Sequence, residues 1–206
     1  MTSIDSITLE AADTAAAERF YANAFELGTR LRVRASQEPA TGFRGFTLSL
    51  TVSQPADADA LLGAALDAGA TALKPAAKSM WGYGGVVQAP DGAIWKVATS
   101  AKKNTGPVSR RFDSVVLLLG VADVAASKRF YVDRGFTVAK SFGRMYVEFD
   151  GSGPVKLALY RRRALAKDAS VAPEGAGSHG IAIGGTGPFT DPDGFTWETA
   201  PMAARP

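Results

Sequence analysis

Short apolar runs bounded by glycine, proline or aspartate recur along this chain, and their spacing switches between two and about 3.6 residues. Ile4 to Leu9 and Val115 to Leu119 read as strands, each followed by an aspartate suited to capping a helix, Asp13 and Asp123. The helices that follow put Phe20-Tyr21 and Phe130-Tyr131 on an inward stripe and stop near Gly28 and Gly135. Period-two strands come next, Leu31 to Ala35 and Thr137 to Lys140. In the first half Gly42-Phe-Arg-Gly45 leads into a strand from Phe46 to Val52, and Ala and Leu at helical spacing from Ala56 to Ala68 predict a second helix. A glycine-bearing strand from Trp81 to Val87 and a tight turn at Pro90-Asp91-Gly92 then lead to a last strand, Ile94 to Ala98. The second half instead shows a hairpin, Met145 to Phe149 and Val155 to Tyr160, turning at Asp150-Gly-Ser-Gly-Pro154. From Ile181 to Ile183 it passes almost directly to Asp191-Pro192-Asp193-Gly194, without the helix that follows the equivalent strand of the first half.

The halves are copies. Asp13-Thr-Ala-Ala-Ala-Glu-Arg-Phe20-Tyr21 returns as Asp123-Val-Ala-Ala-Ser-Lys-Arg-Phe130-Tyr131, and Pro90-Asp91-Gly92-Ala-Ile-Trp95-Lys96 as Pro192-Asp193-Gly194-Phe-Thr-Trp197-Glu198. The two offsets differ, so pieces have been gained and lost. This organisation predicts a first module pair over residues 1–100, a polar, basic linker over 101–111, and a second, partly truncated pair over 112–200.

In this order, and duplicated, the motifs resemble the vicinal-oxygen-chelate superfamily, which includes lactoylglutathione lyases (glyoxalase I), bleomycin-resistance proteins and extradiol dioxygenases. The resemblance covers roughly residues 4–99 and 112–199. It implies an α+β fold of duplicated β-α-β-β-β modules, forming cupped mixed sheets with helices packed on the outside. It also implies a divalent metal in enzyme members, held by histidine, glutamate or glutamine. Carried over one position at a time, that ligand set is mostly absent here. The first strands carry Ser6 and Val116 where the family often has histidine, and the second histidine positions hold Gly45 and Gly180. Of the glutamate positions in the last strands only Glu198 remains, opposite Lys96 in the first half, and the end of the Leu-Ala-Leu strand has Tyr160.

Composition narrows the chemistry. The 206 residues contain no cysteine and one histidine, His179, which excludes disulfides, thiolate zinc sites and cysteine nucleophiles and leaves serine-histidine chemistry without its base. The longest apolar runs are far below the roughly 20 residues of a membrane helix, and no signal-peptide pattern opens the chain, so the expectation is a cytoplasmic protein without membrane contact. The net charge is +3, and the basic pairs and triplet Lys102-Lys103, Arg110-Arg111 and Arg161-Arg162-Arg163 lack a basic helical stripe or a stacking platform. No nucleic-acid partner is expected. No Gly-rich phosphate loop is present either.

Glu198 is the one catalytic candidate, as a general base with a raised pKa in an apolar cup or as a carboxylate paired with a cationic side chain. Trp81 and Tyr83, among Gly82, Gly84 and Gly85, could form a platform for a flat ligand or pack on a helix. Arg44, Lys96, Arg144, Tyr146 and Tyr160 are candidates to orient a polar or anionic ligand, with His179 as a further pocket or loop residue. The expected function is binding of a small aromatic or hydrophobic molecule in the cup without a metal cofactor. The alternative is a metal-dependent lyase, isomerase or dioxygenase with a divalent ion at Glu198. Exposed sheet edges left by the deletions invite pairing of the two halves, or of two subunits as a homodimer.

Overall fold

The aspartates read as caps do start the helices. In the computed structural model, which describes residues 2–151 and 153–199, Asp13 accepts from the Ala16 N–H at 2.9 Å, and Asp123 accepts from those of Ala125 and Ala126. The first half runs β1 (Ile4–Ala11), α1 (Thr14–Ala24), a 3-10 turn, β2 (Leu31–Ala35), β3 (Ala40–Gly42), β4 (Phe46–Thr51), α2 (Pro55–Asp67), β5 (Thr71–Ser79), β6 (Gly82–Gln88) and β7 (Ile94–Thr99). The second runs β8 (Ser114–Val121), α3 (Val124–Asp133), β9 (Thr137–Phe142), β10 (Tyr146–Asp150), β11 (Val155–Arg161), α4 (Arg162–Asp168), β12 (Gly175–Gly177), β13 (Ile181–Thr190) and β14 (Thr196–Thr199). No helix among the described residues is long and apolar enough to cross a membrane.

Both halves contribute to each part of the main sheet. Eight strands in the order β9-β10-β11-β8-β4-β7-β6-β5 form a complete cup, in which β8 of one half pairs antiparallel with β4 of the other, Phe46 opposite Leu119. The remaining four, β2-β1-β13-β14, repeat this centre in reduced form, with β1 antiparallel to β13 and Leu9 opposite Ile181. The two parts join where Ile4 pairs with Val155. Two matching hydrogen bonds mark the duplication: Gly120 N–H to Gly45 O at 2.7 Å and Glu10 N–H to Gly180 O at 2.9 Å.

Alternation along the strands separates two faces. Leu48, Leu50, Trp95, Leu117, Leu119, Leu157 and Leu159 point to the outer face and bury against α1, α2 and α3 in one core. That core holds the two aromatic motifs in duplicate. Tyr21 donates to Asp91 at 2.7 Å and receives the Trp95 indole N–H, while Tyr131 donates to Asp191 at 2.7 Å and receives that of Trp197. The carboxylates are not equivalent in sequence, since Asp91 corresponds to Asp193; the second half rebuilds the same lock from a residue two positions earlier. Burial pushes both phenols well above their usual range, with the neighbouring carboxylate adding to the shift. The raised folded values mean that this stability is complete below about pH 10, where unfolded tyrosine begins to ionise, and is lost as pH rises further. Urea unfolding between pH 9 and 11 should therefore show stability falling by up to about 1.4 kcal/mol per pH unit for each tyrosine. A Tyr21→Phe, Tyr131→Phe double variant should flatten the fall; an unchanged slope would assign it elsewhere.

The fourth helix is the departure. Arg161-Arg162-Arg163 opens α4, which lies on the opposite, inner face, where Leu165, Ala166 and Ala169 pack with Phe43, Val86 and Ile94, and Leu73, Leu118, Tyr160 and Val171 close around them. The expectation of outer helices holds for α1–α3, whereas α4 fills part of the cup. The connector over residues 101–111 is also tied down. Buried Gln54 and Asp57 at the start of α2 bond the backbone of Thr105, Gly106, Pro107 and Ser109.

Candidate functional site

Directly paired residues share a face, so the strand registers give the rows of side chains across the inner surface. One row of the complete cup reads Lys74–Val86–Lys96–Ser49–Val116–Lys156. Lys96 and Val116, which the family resemblance implies stand at metal-ligand positions, lie in one row with Ser49 between them. The Lys96 ammonium meets Asp168 of α4 at 2.7 Å. In the smaller part the corresponding row is Ser6–Gly184–Glu198. Glu198 is partly exposed, and its carboxylate accepts from Arg34 at 2.8 Å; the other arm of the same guanidinium donates to Glu10 at 2.7 Å. The pairing with a cation is thus the arrangement seen. Burial is not what surrounds this carboxylate.

A divalent ion in a protein cage wants three or more oxygen or nitrogen ligands. The complete cup offers three ammonium groups, one hydroxyl and two valines in that row, and in the smaller part a guanidinium already sits between the two carboxylates. No group of three or more His, Asp or Glu side chains placed to hold a metal occurs among the described residues. These residues do not fit the group that the fold family implies. At Gly45 and Gly180 the backbone explains the missing side chains. Both have positive φ, 86° and 60°, and an added Cβ would run into the Arg162 and Arg44 guanidinium groups respectively.

Arg44 and His179, the residues preceding those glycines, form a duplicated clamp between the halves. Arg44 Nε donates to His179 O at 2.8 Å, one terminal nitrogen donates to Asp91 O at 2.9 Å, and the other to Gly180 O. His179 answers with Nδ1 at 2.6 Å from Arg44 O and Nε2 at 3.0 Å from Asp193 O, its ring stacked on Phe195. Burial lowers the pKa of Arg44, and Asp91 opposes the shift. Both side chains border a cavity of about 320 Å³, but their polar atoms are taken up by backbone carbonyls.

The aromatic candidates separate. The Tyr83 hydroxyl donates to Asp59 of α2 at 2.7 Å, which draws its ring towards the helix, while the residue borders the same cavity as Trp81. Trp81 stands 85% exposed at the β5–β6 tip, whereas Trp95 and Trp197 are fully buried. Tyr146 and Tyr160 meet edge to face at 5.9 Å on the inner face, and the Tyr146 hydroxyl donates to Glu148 at 3.1 Å. Burial raises the Tyr146 pKa, with Glu148 contributing. Arg144 lies in the exposed β9–β10 turn.

What α4 leaves open is a cavity of about 270 Å³ at the other end of the cup, bordered by Lys74, Trp81, Lys96, Asp168 and the β6 glycines. Lys74 and Asp168 were missed from sequence. Asp168 was recoverable from the Leu165, Ala166, Ala169 spacing of a short amphipathic turn, but the register that puts Lys74 beside Val86 had no sequence signal.

The cup, the duplicated modules and the outer helices α1–α3 together make the fold seen in glyoxalase I structures. A glyoxalase I variant from Zea mays superposes with a TM-score of 0.62 at 12% identity, covering 95% of this chain and 92% of that one. Glyoxalase I from the same plant gives 0.57 at 12% over 91% and 76%, and a proposed dioxygenase from Bacillus subtilis 0.54 at 11% over 88% and 69%. No protein-family model and no curated protein sequence matches the chain.

Proposed function

We propose that this protein binds a small molecule at the open end of the complete cup and does so without a metal cofactor. The observation that carries this reading is the Lys96–Asp168 pair. A lysine stands where the family resemblance implies a metal ligand, its countercharge comes from a helix that occupies the cup, and an unfilled cavity remains beside them. The ammonium repels a divalent cation and suits an anionic or polar ligand group. Apolar ligand surface covered there contributes about 25 cal/mol per Å².

Elemental analysis of the purified protein, with thermal shifts in nickel, zinc, manganese, iron(II) and EDTA, tests this directly. A metal that binds only the folded state must raise its stability. The expected result is no stoichiometric metal and no shift that EDTA removes. A bound equivalent of metal would overturn the proposal in favour of a lyase, isomerase or dioxygenase centred on Glu198.

A further inference from the structure

From the cavity at the open end of the cup we infer that the ligand is a flat aromatic anion, its ring on the Ala77–Gly84–Ala98 row beneath Trp81 and its anionic group on Lys74 and Lys96. This rests on the metal-free binding reading and adds the chemical class. Three observations converge on it.

The first is the floor. Ala77, Gly84 and Ala98 are direct cross-strand partners, so three adjacent strands present only methyl groups and a glycine on the inner face. Such a row is flat enough for a ring to lie against it. The second is the charge. In the neighbouring row Lys74 and Lys96 flank Val86; Lys96 is balanced by Asp168, while Lys74 makes no ion pair among the described residues. Lys78 also borders the cavity without an ion pair among the described residues, so three lysines against one aspartate leave the cavity lining net positive by two charges. The third is Trp81, a large apolar ring left almost wholly in water at the rim. Its neighbour Met80 is 82% exposed as well, so the rim presents two adjacent large apolar side chains rather than an isolated one.

The dimensions agree. The lysine row and the Ala-Gly-Ala row lie two residues apart along β6, about 7 Å at roughly 3.3 Å per residue. A carboxylate attached to a fused two-ring system reaches less far than this from the ring centre, and the flexible lysine stems span the remainder.

The probe is 2-naphthoate, with uncharged 2-naphthamide as its isostere, followed through the three indole N–H cross-peaks of the full chain in NMR. Trp81→Phe assigns the exposed one. The Trp95 and Trp197 indoles, bonded to Tyr21 and Tyr131, serve as internal controls. Naphthoate should move the Trp81 peak saturably and leave the other two. Lys74→Met, an exposed substitution that leaves the core untouched, should weaken binding about ten-fold, the loss of one charge-assisted contact. If naphthamide binds as well as naphthoate, the anion assignment is overturned while small-molecule binding stands. If neither probe moves the peak, the site is overturned. A Trp81 peak that shifts on protein dilution without ligand would assign the tryptophan to a contact between copies, and would overturn it also.

Discussion

Arg44→Met should lower the stability of the whole protein by about 3–5 kcal/mol, the largest loss expected from a single change outside the apolar core. The guanidinium donates to the carbonyls of His179, Gly180 and Asp91, and lies over the Phe46 ring at 5.4 Å. These carbonyls belong to two segments more than 80 residues apart, following Gly177 and Pro90. Methionine fills much of the same volume but leaves the carbonyls without donors, and unsatisfied buried acceptors each cost about 1–3 kcal/mol. Urea unfolding at neutral pH measures the effect, and Arg44→Lys should fall in between, because an ammonium cannot reach three carbonyls in the planar fork. A loss below about 1 kcal/mol for the methionine variant would mean that the clamp is carried by His179 and the strand pairing alone.

Leu165→Asp should release α4 from the cup while the rest of the fold persists. Leu165 is buried against the inner face, and with Ala166 and Ala169 it makes up most of the apolar contact of a seven-residue helix. Removing that contact and placing a carboxylate there costs about 3 kcal/mol or more, which exceeds what two alanines can hold. The expected signs are rapid tryptic cleavage near Arg161–Arg163 and Lys167, stronger binding of an apolar dye, and a retained far-ultraviolet spectrum. The Lys96–Asp168 pair does not prevent release, because partly exposed ion pairs contribute about 0–1 kcal/mol. Cooperative loss of all structure would instead show that α4 belongs to the global core.

These two outcomes separate what holds the halves together from what closes the cup, and they bear on ligand binding differently. With α4 released, Val86, Ile94 and Leu118 become accessible, so the cup should accept larger apolar molecules and keep or strengthen its preference for the anion, because Lys96 loses its countercharge when Asp168 leaves.

Much of the fold was legible from residue pattern. The capping aspartates, the Phe-Tyr pairs and the turn-Trp motifs each act locally or along one element. They therefore located β1, α1, β8 and α3 to within a few residues and placed both tryptophans in the core. The two glycines at the family's histidine positions were legible too, and positive φ accounts for them. Side-chain roles were less so. Arg44 and His179 looked like ligand groups because exposed-type polar residues beside glycines carry no mark of the carbonyls they will meet 135 residues away.

Tertiary structure alone decided three things. It paired β4 with β8 and β1 with β13, so that each cup is shared by the halves; sequence repeats show that modules are similar but not which copy supplies the partner edge. It set α4 on the inner face, a choice made by the apolar cup that the helix covers rather than by its own arginine-rich start. And it joined Lys74, Trp81, Lys96 and Asp168 around one cavity, because cross-strand register and a docked helix are long-range relations, whereas sequence by itself determines local conformation, the face each side chain takes, and the charge it brings.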